Sequence, residues 1–292
     1  MEITTEFKQK IRLAILEARA KFEGSDSAFA KSQGLNGAVF SRLQAGELDK
    51  IISDSSWISL ARLHQIKRKD DNWNVVRTKV YEELEDSIKF CKEHSKAMIF
   101  SDECDIGKTF CTKHILKGMK NAFYIDCSQY KTRQQFIRGW AKTVGVDPNG
   151  KYIDVKENLK WALNNLDIPF TALDEAGDLD YGAFLDIKEI WNATENGCGM
   201  MLIGADGLQT KLEKGFKSKK VGFAEIISRF SDEIIKVVPN GKHDRDAFFT
   251  ELIGNVAVAN IKDKTQVAKL VRQCVNKGKK LRHLDTLIKL QG

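Results

Sequence analysis

Two periods of hydrophobic positions divide this chain. Over residues 5–66 apolar side chains recur at helical spacing, as in "TEFKQKIRLAILEARAKF" and "SSWISLARLHQI", so each segment offers one apolar stripe and one polar face. Four short apolar, β-branched or aromatic runs follow, "KAMIFSD", "NAFYIDC", "PFTALDE" and "GMMLIGA", separated by helical stretches. Strand-like runs alternating with helices are the pattern of a parallel sheet with crossover helices. After Pro239-Asn240-Gly241 the spacing is helical again to the end, and only three prolines occur in 292 residues. The pattern predicts an α/β chain in three parts: an all-α head over 1–68 closing in the charged stretch "IKRKDDN", a parallel-sheet core over 72–240, and a small helical lid over 241–292. No internal repeat or low-complexity segment breaks this order.

Within the head, "SDSAFAKSQGLNGAVFSRLQAGE" carries apolar anchors at Phe29, Leu35, Phe40 and Leu43, a small residue at Ala30 and Gly34 between two helical patterns. Two helices crossing steeply over a tight turn need a small residue at the crossing and a glycine free to take positive φ. Asn36 can cap the second helix, which leaves Gly37, Ala38, Ser41 and Arg42 on its outer face. This arrangement resembles the helix-turn-helix of phage repressors of the lambda and Cro type, and the resemblance implies DNA contacts from Asn36, Ala38, Ser41 and Arg42. A plain helical hairpin, in which the small residues serve packing alone, is the alternative.

Residues 97–112, "AMIFSDECDIGKTFCT", place strand, loop and helix in the order a phosphate-binding Walker A loop requires. Loop amides and the helix N-terminus face the phosphates, Lys108 reaches the β/γ oxygens, and Thr109 binds Mg2+. Asp105, Ile106, Gly107, Lys108, Thr109 and Phe110 are therefore the expected nucleotide-contacting stretch. The full pattern G-x-x-x-x-G-K-[ST] has glycine where this chain has Asp102, and Asp105 adds a second carboxylate. Two negative charges beside a triphosphate oppose binding unless they point outward. About 65 residues on, "IPFTALDEAGDLD" is an apolar strand ending in Asp174-Glu175. As a Walker B motif, Asp174 holds the Mg2+ shell and Glu175 orients and deprotonates the attacking water. An Asp-Glu pair after an apolar run also serves as a helix cap, but its distance from Gly107-Lys108-Thr109, with a strand between, favours the metal reading.

The next strand ends in Gly204-Ala205-Asp206, where AAA+ proteins place a polar sensor, and "FAEIISRFSDEII" offers Arg229 where oligomeric ATPases reach into a neighbour's site. Taken in order, the helical head, "DIGKT", "ALDEAGDL", "MMLIGADGL", "ISRFSDEI" and "NKGKKLRHLDTLIKL" resemble the Mu B family of transposition ATPases. That resemblance implies a P-loop AAA+ core and a sensor 2 arginine at Arg282. It implies ATP and Mg2+ as cofactors, and catalytic roles for Lys108, Glu175, Asp206 and Arg229. It also implies a helical homo-oligomeric filament on double-stranded DNA that delivers the target to a DDE transposase and comes apart on hydrolysis. Asp102, Asp105 and Asp206 depart from the usual motifs, and all three bear on nucleotide binding or sensing.

Net charge is +7, with Lys/Arg concentrated between Lys211 and Lys220 and again from Lys262 to Lys289. "KLEKGFKSKK" reads as a basic loop in which Lys211, Lys214, Lys217, Lys219 and Lys220 meet DNA phosphates without reading bases, while Gly215 and Phe216 let it conform. The plain alternative is a solvated charge run. Six cysteines lack C-x-x-C spacing and read as reduced, mostly buried thiols. No run approaches the roughly 20 apolar residues of a membrane span, and the N-terminus lacks a signal-peptide core, so the expectation is a cytoplasmic protein with no membrane partner. Two other functions use the same parts: a nucleotide-sensing helix-turn-helix transcription regulator and a helicase-loader-like AAA+ protein.

Overall fold

The computed structural model describes residues 3–64, 66–68, 73–230 and 233–290. Most of the charged stretch after the head, and Ser231 and Asp232 of "ISRFSDEI", lie outside the described residues. In chain order come α1 (Thr5–Ala20), α2 (Asp26–Ser32), α3 (Gly37–Gln44), α4 (Asp54–Leu63) and α5 (Lys79–His94). Then follow β1 (Ala97–Ser101), α6 (Lys108–Lys117), β2 (Ala122–Asp126), α7 (Arg133–Val144), α8 (Tyr152–Asn165), β3 (Phe170–Asp174) and α9 (Tyr181–Ala193). The rest is β4 (Gly199–Gly204), α10 (Asp206–Lys217), α11 (Phe223–Arg229), β5 (Ile234–Ile235), α12 (Lys242–Asn260), α13 (Val267–Asn276) and α14 (Leu281–Leu290). Two compact units result, Met1–Asp71 with Gln134–Asp167, and Asn72–Arg133 with Ile168–Gly292. The first unit thus takes in α8 and nearly all of α7, a stretch that sequence pattern places in the sheet-bearing core.

In the first unit each of the four N-terminal helices begins at a polar cap. Thr4, Ser25, Asn36 and Ser53 accept from the backbone N–H three residues on, which satisfies donors the helix itself leaves unpaired. Gly34 takes φ +72° in the turn between α2 and α3, where a side chain would be strained. Phe29, Ala30, Phe40, Leu43 and Trp57 are buried around that turn, with the Phe29 and Phe40 rings edge-on at 5.3 Å. Arg12 of α1 donates to the Leu43 and Gln44 carbonyls at 2.6 and 2.9 Å, so the open C-terminus of α3 is closed by a charged donor.

The second unit is a five-stranded parallel sheet in the order β2-β3-β4-β1-β5. β4, the last of the four strands predicted from sequence, lies between β1 and β3, with Ser101 opposite Gly204 and Leu173 opposite Leu202. The carboxyl ends of the two motif-bearing strands therefore face the same edge. β3 and β4 are buried throughout, as strands covered on both faces must be. Among the described residues no helix is long and apolar enough to cross a membrane.

Close packing of α5 on β4 rests on one glycine. A Cβ at Gly199 would lie 2.2 Å from the Cys91 carbonyl oxygen, an approach only glycine permits. Gly199→Ala is expected to destabilise the sheet-bearing unit by about 1–3 kcal/mol, the usual cost of overpacking, read as a lower chemical-denaturation midpoint. An unchanged midpoint would contradict this packing.

Candidate functional site

Ligands of open parallel sheets bind outside the carboxyl ends of the strands, and three chain segments leave the sheet at that edge. β1 runs into the loop 102–107, β3 into Asp174-Glu175, and β4 into Ala205-Asp206. Ser101 Oγ donates to the Ala205 carbonyl at 2.9 Å and fastens the first exit to the third.

The loop reaches α6 through Gly107, whose φ of +96° excludes a side chain without strain. Lys108 follows as the first helical residue and is buried, with its ammonium donating to the carbonyls of Asp102, at 2.8 Å, and Glu103. Burial pushes its pKa down, opposed by the charges of Asp102, Asp174 and Glu175. Ile106 is buried in the core, so the loop can offer its amide there and not its side chain; Phe110 stands partly exposed on the first turn of α6.

Thr109 and Asp174 come together as the sequence predicts. Thr109 Oγ1 donates to Asp174 Oδ2 at 2.7 Å, and the same oxygen accepts from Tyr124 OH at 2.7 Å. Asp174 Oδ1 accepts from the Glu175 N–H at 3.0 Å, so three donors fix one buried carboxylate. Tyr124 lies outside the site residues that the sequence predicts; an aromatic in a strand carries no signal of its own. Glu175 itself turns out of the strand in the left-handed region, φ +53°. Burial and then the adjacent Asp174 charge push its carboxyl above the usual range, toward what a general base needs.

Both acidic departures in the loop are engaged by protein groups. Asp102 is buried and turned from the loop's mouth: Oδ2 accepts from the Val237 and Val238 amides at 2.6 and 2.9 Å, and Oδ1 from the Glu103 amide at 2.7 Å. Asp105, at φ +64°, accepts from the Arg282 backbone N–H at 2.9 and 3.1 Å, at the N-terminus of α14. Burial raises its pKa while that amide and the Arg282 charge oppose the shift. Glu103 adds ion pairs to Arg245 and, at 2.6 Å, to Lys280, whose ammonium also donates to the Cys104 carbonyl at 3.0 Å. The C-terminal helices are thus clasped to the loop through acids that the loop pattern does not require. Arg282 meets the loop with its amide, while its side chain is 85% exposed and only 3.8 Å from Asp105 at Nε. Cys104 is the exposed cysteine; the other five are buried.

Asp206 is exposed on the first turn of α10, where the helix dipole favours a carboxylate. Arg229 closes α11 and, among the described residues, makes no side-chain hydrogen bond or ion pair. The basic stretch differs from its sequence reading. It is helical to Lys217, not a loop, and Gly215 is buried where a Cβ would meet the Phe223 ring at 2.4 Å. Lys214, Lys217, Lys219 and Lys220 are exposed, with Lys220 3.9 Å over the Tyr181 ring and Phe216 55% exposed among them. Lys211 is set apart from these four. Its ammonium donates to the carbonyls of Gly177, at 2.7 Å, and Leu179, in the turn that follows Glu175. In the head, Asn36 is spent on its cap, Ala38 and Ser41 are exposed, and Arg42 pairs with Glu47 at 2.7 Å.

Asp102→Gly, which would restore the loop pattern, is expected to weaken the protein. Its carboxylate holds the Val237 and Val238 amides, and each buried donor left unpaired costs about 1–3 kcal/mol. The denaturation midpoint should fall without any gain in nucleotide affinity; a stable variant that binds ATP more tightly would overturn this role.

Residues 92–212 match a family model described as an AAA domain, a span that runs from the end of α5 through both loop motifs into α10. No curated protein matches the chain. The sheet, the joined Thr109 and Asp174, and the matched span together make this a P-loop AAA+ core with helical flanks, and nucleotide hydrolysis is the general activity such a domain carries.

Proposed function

We propose that the protein is an ATP- and Mg2+-dependent DNA-binding ATPase of the cytoplasm that assembles as a homo-oligomeric filament on duplex DNA and presents it to a DDE transposase. The observation that carries the nucleotide half is the Thr109–Asp174 hydrogen bond at the sheet's edge, beside Glu175 and the buried Lys108. Thr109 and Asp174 are the hydroxyl and carboxylate that hold Mg2+ in such sites, Lys108 and the loop amides take the phosphates, and Glu175 removes the proton from the attacking water. Charge neutralisation by Lys108 and Mg2+ is the larger part of such catalysis, with the base adding to it.

For DNA, the support is α10. It starts at Asp206 beside the nucleotide site, holds the turn after Glu175 through Lys211, and carries Lys214 and Lys217 to a cluster completed by Lys219 and Lys220. One rigid helix thus joins phosphate-binding lysines to the catalytic turn. Arg229, with no partner of its own among the described residues, is free to complete a neighbour's site in the assembly, the role that the resemblance to oligomeric ATPases suggests. The outer face of α3 supplies a second DNA contact, since the half-exposed Arg42–Glu47 pair is worth at most about 1 kcal/mol and exchanges readily for a phosphate. That exposed face also favours a second reading, a transcription regulator, whose DNA binding would be sequence-specific and independent of ATP. Delivery to a transposase rests on the ordered motifs that resemble the Mu B family.

Electron microscopy with duplex DNA tests the reading directly. Filaments should form with ATP and be absent without it, and nucleotide-independent complexes would favour the regulator. Replacing Lys217, Lys219 and Lys220 with Ala should weaken binding to all duplexes alike and reduce the salt slope by up to about 0.9 for each phosphate that is no longer neutralised. Weakening confined to one DNA sequence would argue against phosphate binding by these lysines.

Glu175→Gln should bind ATP, fail to turn it over and prolong the DNA complex. The raised Glu175 pKa also sets a direction with pH. The base works only when ionised, so hydrolysis should decline on acidification at a higher pH than for a free carboxylate. A pH–rate profile flat through the weakly acidic range would contradict Glu175 as the base.

A further inference from the structure

The Walker B carboxylate has a donor that neither motif supplies. Tyr124 lies on β2, opposite Ala172 of β3, while Asp126 lies opposite Asp174. Residues in register across parallel strands point to the same face, so Tyr124 reaches Asp174 diagonally, two positions along. The small side chain of Ala172 leaves the phenol ring room to lie along the sheet toward its carboxyl edge. Its hydroxyl ends 2.7 Å from Asp174 Oδ2, the oxygen that Thr109 also contacts. The ammonium of Lys113 sits 4.6 Å from the Tyr124 ring centroid and steadies the ring from α6.

On the reading that Thr109 and Asp174 hold Mg2+, we propose that Tyr124 is a positioning residue that orients the Asp174 carboxylate for the metal. Three donors serve that carboxylate, and they differ in what a metal leaves them. Thr109 must turn a lone pair to the ion, and the Glu175 amide moves with any change in the catalytic turn. Tyr124 is neither a metal ligand nor part of the turn, so its hydrogen bond can hold Oδ2 in one place before and after the ion arrives. Outer-shell donors of this kind set how firmly a carboxylate ligand is presented.

The test is Tyr124→Phe in the full-length protein, which keeps the ring beneath Lys113 and removes only the hydroxyl. Mn2+ in place of Mg2+ lets the metal be titrated by electron paramagnetic resonance in the presence of a non-hydrolysable ATP analogue. Metal affinity should weaken about 10-fold, the usual effect of losing an outer-shell partner, while metal-free binding of the analogue stays within about twofold of wild type. A folded variant with unchanged Mn2+ affinity would overturn the positioning role and leave the nucleotide site standing. Wild-type protein that binds the analogue without taking up Mn2+ would overturn the metal site and this inference with it. Equal weakening of metal-free binding would show a merely structural tyrosine and also overturn it. If the variant fails to fold, wild-type protein labelled at tyrosine Cζ supplies the answer. The Tyr124 resonance should shift when Mg2+ joins the analogue and not with the analogue alone, and no shift would reject the proposal.

Discussion

One hydrogen bond, from Thr109 to Asp174, ties together two of the three segments that leave the sheet at its carboxyl edge. These residues leave strands that are not neighbours: β4 lies between β1 and β3, which sets the two strands about 10 Å apart. They meet because β4 ends at Gly204, because Gly107 lets the loop turn straight into α6, and because the strand registers bring all three carboxyl ends to one level. The bond is short and serves a carboxylate already fixed by Tyr124 and the Glu175 amide. In the proposed nucleotide site a metal entering there would find its ligands oriented, which is the preorganisation that phosphoryl transfer uses in place of covalent chemistry.

The acidic loop acquires a sense within that constraint. A carboxylate facing the phosphates would work against the site, but Asp102 is consumed by three backbone amides and Asp105 by the first turn of α14. Glu103 draws Arg245 and Lys280 to the loop from α12 and from the residue before α14. The loop's shape is therefore held from outside, by the segment after β5 at Val237-Val238 and by the C-terminal helices, where the usual loop holds itself with glycine. Lys108, donating into the loop carbonyls, completes the set and is the cation that a phosphate would draw away.

Much of this was legible in the sequence. The four long strands, the Walker pairing and the Asn36 cap follow from local patterns, apolar runs of the right length and a polar residue just before a helix. What was not legible depends on contacts between distant residues. The role of Asp102 is set by amides 135 residues away, and Tyr124 gains meaning only from the diagonal across β3. β5 has two residues, too few for any periodicity. α10 was hidden because its lysines and Gly215 read as a flexible loop, whereas Gly215 is small to admit the Phe223 ring. The grouping of α7 and α8 with the head has no sequence signal, because contacts and not patterns define it.

Hydrogen–deuterium exchange with and without MgATP reports on this edge residue by residue. If the edge formed by Thr109, Asp174 and Lys108 is a working nucleotide site, the amides of residues 103–109 and of Glu175 should exchange more slowly with nucleotide bound. The helices of the head should be unchanged when no DNA is present. Saturating MgATP that leaves the loop amides as fast as in its absence, or protects only residues outside that edge, would contradict the account.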